Sequence, residues 1–192
     1  MNALIRPAVS LFVFLTVVTG VVYPLAVTGV ARAAFPRQAA GSLIVQDGRT
    51  VGSSLIGQNF SDPKYFWGRP SATGPMANNG QGSGGSNLGP LNPALTDAIK
   101  GRVEALRAAD PGNKAPVPVD LVTSSASGLD PEISVAAAQY QARRIARLRG
   151  LSPALVEDII TRHTQGRLFG LLGEPRVNVL DMNLDLQHVN AS

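Results

Sequence analysis

The sequence contains no cysteine. That excludes disulfide frameworks, thiol nucleophiles and cysteine-based metal sites, and it fits either side of a membrane. Histidine is nearly as scarce, with only His163 and His188, whose separation is not that of a metal-binding pair on one helix. His163 falls near the C-terminal end of an expected helix, where positive charge is mildly favourable. Asp and Glu together number 13, and no close carboxylate pair stands out for general acid–base work. The serines lack a GxSxG elbow, so a triad hydrolase has no support. Excess positive charge is also small, +4 overall, too little for the footprint of a nucleic-acid binder. Most of the basic residues are arginine, a bias that suits carboxylate or phosphate partners.

Apolar residues concentrate at the start of the chain. From Pro7 to Ala31, PAVSLFVFLTVVTGVVYPLAVTGVA carries no charge. The run exceeds the ~20 residues that a bilayer core of about 30 Å requires, so a tilted transmembrane helix fits. Arg6 and Arg32 bracket it, Tyr23 suits an interface, and Pro24 is expected to kink or end the regular helix. A cleaved secretory signal is the rival reading, with Ala31-Arg32-Ala33 resembling a cleavage site. Signal h-regions run about 7–15 residues, shorter than this run. The organisation expected is a tail at 1–6, a transmembrane helix at 7–31 and a soluble domain at 32–192. Charge leaves the orientation undecided.

Past Pro36 the sequence predicts one compact mixed domain of the α+β class. Asp47-Gly48 lies between Leu43-Ile44-Val45 and Leu55-Ile56, a strong hairpin signal because Gly accepts the positive φ of the turn. Asn92-Pro93 reads as the cap and first position of a helix, with Leu95, Ile99, Val103 and Leu106 as its apolar stripe. VPVDLVT suggests a strand from about Val117 to Thr123. Ser134 caps a second helix ending at Gly150, and Ser152-Pro153 opens a third. RVNVLDMNLDL (176–186) nearly alternates and reads as a strand.

The glycine-rich stretch NNGQGSGGSN (78–87) resembles a phosphate loop only at first sight. No Lys follows the glycines as a Walker loop requires, and no strand–glycine–helix arrangement frames it as a dinucleotide fingerprint would. Close backbone packing, within the domain or against a partner, is the expectation instead. Arg143, Arg144, Arg147 and Arg149 crowd the end of the second helix, which complements its dipole. Arg143 and Arg147 share a face at i, i+4 and are candidates for an acidic partner or lipid headgroups.

Five segments stand in order behind the apolar helix: GSSLIGQNF (52–60), YFWGRPSATG (65–74), GSGGSNLGPLNP (82–93), LVTSSASGLDPEIS (121–134) and QARRIA (141–146). Together they resemble the C subunit of the Kdp potassium-transporting ATPase, the KdpC family, over nearly the whole chain. The resemblance implies a single-pass inner-membrane accessory subunit with its soluble domain outside the cytoplasm. The implied partners are a channel-like potassium-binding subunit, a P-type ATPase subunit, a small stabilising peptide and membrane lipid, with no nucleic acid. It further implies a role in assembly and as a catalytic chaperone raising the ATPase subunit's affinity for ATP. The resemblance implies that the complex handles ATP and potassium; no metal or cofactor is expected on this chain, and direct binding of ATP by it stays open. The chain lacks DKTGT, the phosphorylated-Asp motif of P-type pumps, so it is not read as an enzyme.

By resemblance the ATP-related positions are Gln141, Ser127, Gly128 and Asp130. Docking candidates are Phe66, Arg69, Ser71, Thr73, Ser83, Gly84, Gly85, Ser86 and Asn87, joined by Arg143 and Arg147. The alternative function is that of a small binding protein, cleaved and secreted.

Overall fold

The computed structural model describes residues 2–189. Met1 of the expected tail and residues 190–192 of the expected domain lie outside the described residues. The chain divides into two units, Met1–Val51 and Gly52–Ser192.

The first unit opens with helices α1 (Asn2–Val17) and α2 (Tyr23–Ala34), joined through a π-type turn at Val18–Val22. Helix therefore begins before Pro7 and runs past Ala31, and the span long and apolar enough to cross a membrane is Leu4–Ala34. Pro24 does not break it. Proline lacks an N–H and crowds the carbonyl one turn earlier. The helix widens there, Tyr23 N–H donating to the Val18 carbonyl five residues back, a bulge that absorbs such a defect. A short α3 (Pro36–Ala39) leads to β1 (Leu43–Gln46) and β2 (Arg49–Ser53), a two-stranded hairpin. Its turn sets Asp47 at φ +50° and Gly48 at φ +74°, both positive, as the sequence signal demands. Leu55 and Ile56 lie beyond the second strand.

In the second unit, α5 (Val135–Arg149), α6 (Pro153–His163) and α7 (Val179–His188) pack on a small antiparallel sheet, and α4 (Pro93–Ala109) adds Leu106 to the shared core. The sheet consists of β3 (Glu132–Ser134), β4 (Thr164–Gln165) and β5 (Arg176–Asn178) in the order β3-β5-β4, with Val177 opposite both Ile133 and Thr164. Four helices start on a side-chain cap: Asn92, Ser134, Ser152 and Asn178 each accept from an N–H of the first turn, satisfying donors that a helix start leaves free.

Two expectations fail. Val117–Thr123 is not a strand but irregular chain with a 3-10 turn at Val119–Leu121. The expected strand over 176–186 stops at Asn178, because Asn178 caps Leu180 and Asp181 and launches α7. Val179, Met182, Asn183 and Leu186 then share a helical face, all buried. Ile133, Ile145, Ile159, Val177 and Met182 form the centre of the core, each adding about 1.5–3 kcal/mol on full burial.

Candidate functional site

The face of α5 that packs inward is mostly alanine, yet Gln141 and Arg144 lie on it, 1% and 2% exposed. Buried polar groups require partners, and here the partners are the backbone of residues 63–67. Gln141 Oε1 accepts from Trp67 N–H at 2.8 Å, and its Nε2 donates to the Trp67 carbonyl at 3.1 Å and to that of Ala137 at 3.2 Å. On the neighbouring residue, Asn183 of α7 does the same: Phe66 N–H donates to Oδ1 at 2.9 Å and Nδ2 to the Phe66 carbonyl at 3.0 Å. A carboxamide carries an acceptor beside donors, so it completes one residue's hydrogen bonding as a neighbouring strand would. Successive residues of an extended chain face opposite ways, which suits one clamp from each helix.

Arg144 completes the clamp. Its Nε donates to the Pro63 carbonyl at 2.9 Å, and its Nη2 to the Tyr65 carbonyl at 2.7 Å and Gln141 Oε1 at 2.9 Å. The guanidinium also lies 4.5 Å from the Trp67 ring centroid, a cation–π contact. Burial lowers its pKa to about 10, opposed by the charge of Asp110, so it remains cationic at neutral pH.

Outward from the clamp, three loops are stitched side chain to backbone. Arg69 pairs with Asp130 at 2.9 Å and reaches the Ser124 carbonyl at 3.3 Å. Ser71 Oγ donates to the Gly128 carbonyl at 2.6 Å and accepts from Asn78 N–H at 2.9 Å. Thr73 Oγ1 donates to the Met76 carbonyl and accepts from Asn79 N–H. Ser83 Oγ and Gly84 N–H both donate to the Ser127 carbonyl, at 3.0 and 2.8 Å. Gly128 sits at φ +69°, and a Cβ there would lie 2.6 Å from the Gly84 carbonyl oxygen and from Thr73 Cγ2. At Gly85 a Cβ would meet the Ala126 carbonyl oxygen at 2.9 Å, whereas at Gly84 it meets nothing within 4 Å. The close-packing expectation therefore holds at Gly85 and not at Gly84. A cavity of about 260 Å³ lies alongside, walled by Phe60, Trp67, Arg69, Ser71, Arg102 and Leu121 among others.

The structure thus brings together Arg69, Ser71, Thr73, Ser83, Gly84, Ser127, Gly128 and Asp130. Gln141 reaches them only through Trp67. Phe66 is 0% exposed, so as a docking candidate it is corrected: it anchors the loop from inside. Ser86 and Asn87 form an exposed rim. Arg143 is exposed on α5, while Arg147 pairs with Asp110 at 2.8 Å. The arginine run is thereby divided, since Arg149 stacks over Tyr65 at 5.3 Å and Arg144 turns inward. Sequence reasoning assigned Arg144 to the helix dipole rather than to a buried clamp, and passed over Asn183. The available signal was position: both fall among the apolar residues of their helices, where an unpaired polar group would be costly.

Gln141 presents no free polar atom to a nucleotide, all its hydrogen-bonding positions being filled within the fold. His163 Nε2 pairs with Asp185 at 3.0 Å, as does Arg162 at 2.9 Å. Among the described residues no cluster of His, Cys, Asp or Glu could hold a metal.

This framework has relatives. The family "K+-transporting ATPase, c chain" matches residues 5–188. The chain belongs to the KdpC family. It is 70% identical over 186 residues to the potassium-transporting ATPase KdpC subunit of Variovorax paradoxus (strain S110), covering 97% of this chain and 96% of that one. It is 67% identical over 190 residues to the same subunit of Dechloromonas aromatica (strain RCB), covering 99% and 100%. A third, from Polaromonas naphthalenivorans (strain CJ2), is 67% identical over 186 residues. The chain is accordingly a subunit of a potassium-transporting ATPase, as the resemblance implied.

Proposed function

We propose that this subunit is a non-catalytic, single-pass accessory of the potassium pump, needed for its assembly and raising the ATPase subunit's affinity for ATP through contacts rather than by holding the nucleotide. The observation that carries this reading is the loop lattice: polar loops that a catalytic site would leave free for substrate are here bonded to one another. Ser71, Thr73 and Ser83 spend their hydroxyls on backbone carbonyls, so none is poised as a nucleophile beside a base. A rigid face docks without the ordering cost that a mobile loop incurs, and differential contact with two pump conformations would shift their balance. The continuous apolar helix Leu4–Ala34 supports the anchor, and the soluble domain on the extracytoplasmic side accords with docking on the channel-like subunit.

The test is Ser86→Trp on the exposed rim, alone and with Arg143→Glu. The expected result is an unchanged melting temperature, with poorer co-purification of the pump subunits and a raised KM for ATP. Unaltered subunit recovery and unaltered potassium uptake would defeat the proposal. ATP hydrolysis by the isolated chain would defeat its non-catalytic part.

A further inference from the structure

Between α6 and β5 the chain projects a turn whose sequence is Arg167-Leu-Phe-Gly-Leu-Leu-Gly-Glu174, and it is solvent-exposed along its whole length. Leu168, Phe169, Leu171 and Leu172 are 58%, 85%, 81% and 61% exposed. Contiguous apolar exposure of this kind marks an interaction site, and three features indicate what covers it. First, the tip pairs four of its N–H groups within itself: Leu168 N–H donates to the Leu172 carbonyl, Leu172 and Leu171 N–H to that of Leu168, and Gly170 N–H to that of Arg167. Hydrocarbon offers no hydrogen bonds, so internal pairing of N–H groups lowers the cost of carrying backbone to its edge. Second, charge stops at the stem, where Arg167 Nη2 contacts both Glu174 oxygens at 2.9 and 2.7 Å; beyond that pair every side chain is apolar. Third, Phe169 is held at φ +54°, a conformation that bulky residues seldom adopt, although its ring gains no burial in the fold. Strain retained without a packing return points to function.

From these we infer that the Leu168–Leu172 turn inserts into the lipid interface as a second membrane contact. The inference rests on the anchor reading, since residues 4–34 tether the chain to the bilayer it would enter.

The cysteine-free chain permits a direct test. Phe169→Cys, Leu171→Cys and, as an aqueous reference, Glu104→Cys each carry a thiol-linked fluorophore in the full chain. They are reconstituted in vesicles of phosphatidylcholine with phosphatidylglycerol. Quenching by iodide should be roughly ten-fold weaker at 169 and 171 than at 104, because an ion is excluded from apolar surroundings. Nitroxide lipids should quench the two tip labels alone. Tip labels as open to iodide as the reference overturn the inference. So does shielding that appears only with the other pump subunits and without nitroxide quenching, which assigns the turn to a protein partner. A chain stripped from the vesicles by alkaline wash refutes the anchor, and the insertion falls with it. A retained chain with an iodide-accessible tip refutes the insertion alone.

Discussion

Replacing Gln141 by Leu removes one end of the clamp and separates two explanations of that residue. Four hydrogen bonds are lost, and the Trp67 N–H and carbonyl are deprived of their side-chain partner at a half-buried position. Arg144 keeps the Pro63 and Tyr65 carbonyls but loses the Gln141 oxygen. An unsatisfied buried group costs about 1–3 kcal/mol. Leu restores apolar area and water reaches part of Trp67, so the net loss expected is ~3 kcal/mol. For a domain of this size each kcal/mol lowers Tm by roughly 2–4 °C, giving a drop of about 6–12 °C. Thermal unfolding followed by circular dichroism, with and without ATP, reads it. Gln141→Glu should fall between wild type and Leu, because a carboxylate keeps the two accepted bonds, from Trp67 N–H and Arg144 Nη2, but turns an oxygen toward two carbonyls. A Gln141→Leu domain melting within a degree of wild type, combined with a raised pump KM for ATP, would show that Gln141 acts on nucleotide and not through the loop.

Three further substitutions test neighbouring parts of the domain. Gly128→Ala is expected to destabilise by about 1–3 kcal/mol, since it adds a strained positive φ to a 2.6 Å approach. Gly84→Ala should lie within about 0.5 kcal/mol of wild type, as a surface change with room does; equal losses in denaturant titrations would contradict the packing described. Tyr140 Oη is buried without a partner, so Tyr140→Phe should leave stability unchanged or raise it by up to ~1 kcal/mol. Burial raises its pKa above the usual 10, despite the opposing charge of Arg107. The folded state then holds the phenolic proton longer than the unfolded one, so this stability is complete below pH 10 and is lost as pH rises beyond it. In ultraviolet titrations the Tyr140→Phe variant should lack a tyrosine step that lies above pH 10; loss of a step at or below pH 10 would refute the assignment.

Local chemistry was the legible part of the sequence. Asn92, Ser134 and Ser152 act as caps because capping needs only a side chain and the next few N–H groups. Asp47-Gly48 turns a hairpin for the same reason. The strands β3, β4 and β5 have three residues or fewer and exist through one another, so no single segment announces them. Helix α7 was misjudged because Val177 and Val179 alternate around Asn178, and only the cap distinguishes a helix start from a continuing strand. Within the site, Ser71 and Gly128 are joined across 57 positions and Phe66 and Asn183 across 117; such pairings follow from the fold and from nothing in either segment.

The Phe66–Asn183 clamp also orders events during synthesis. The loops at residues 63–87 emerge early, yet Asn183, which holds the Phe66 backbone alongside the clamps from α5, is made 117 positions after Phe66. A chain cut short after Gly173 would carry its anchor into the bilayer but leave the Phe66 backbone unpaired and the lattice above it loose. Such a fragment should accumulate in membranes without co-purifying with the pump, and its recovery in the complex would disprove the dependence. The loop lattice over residues 69–130 thereby depends on a helix that begins only at Val179.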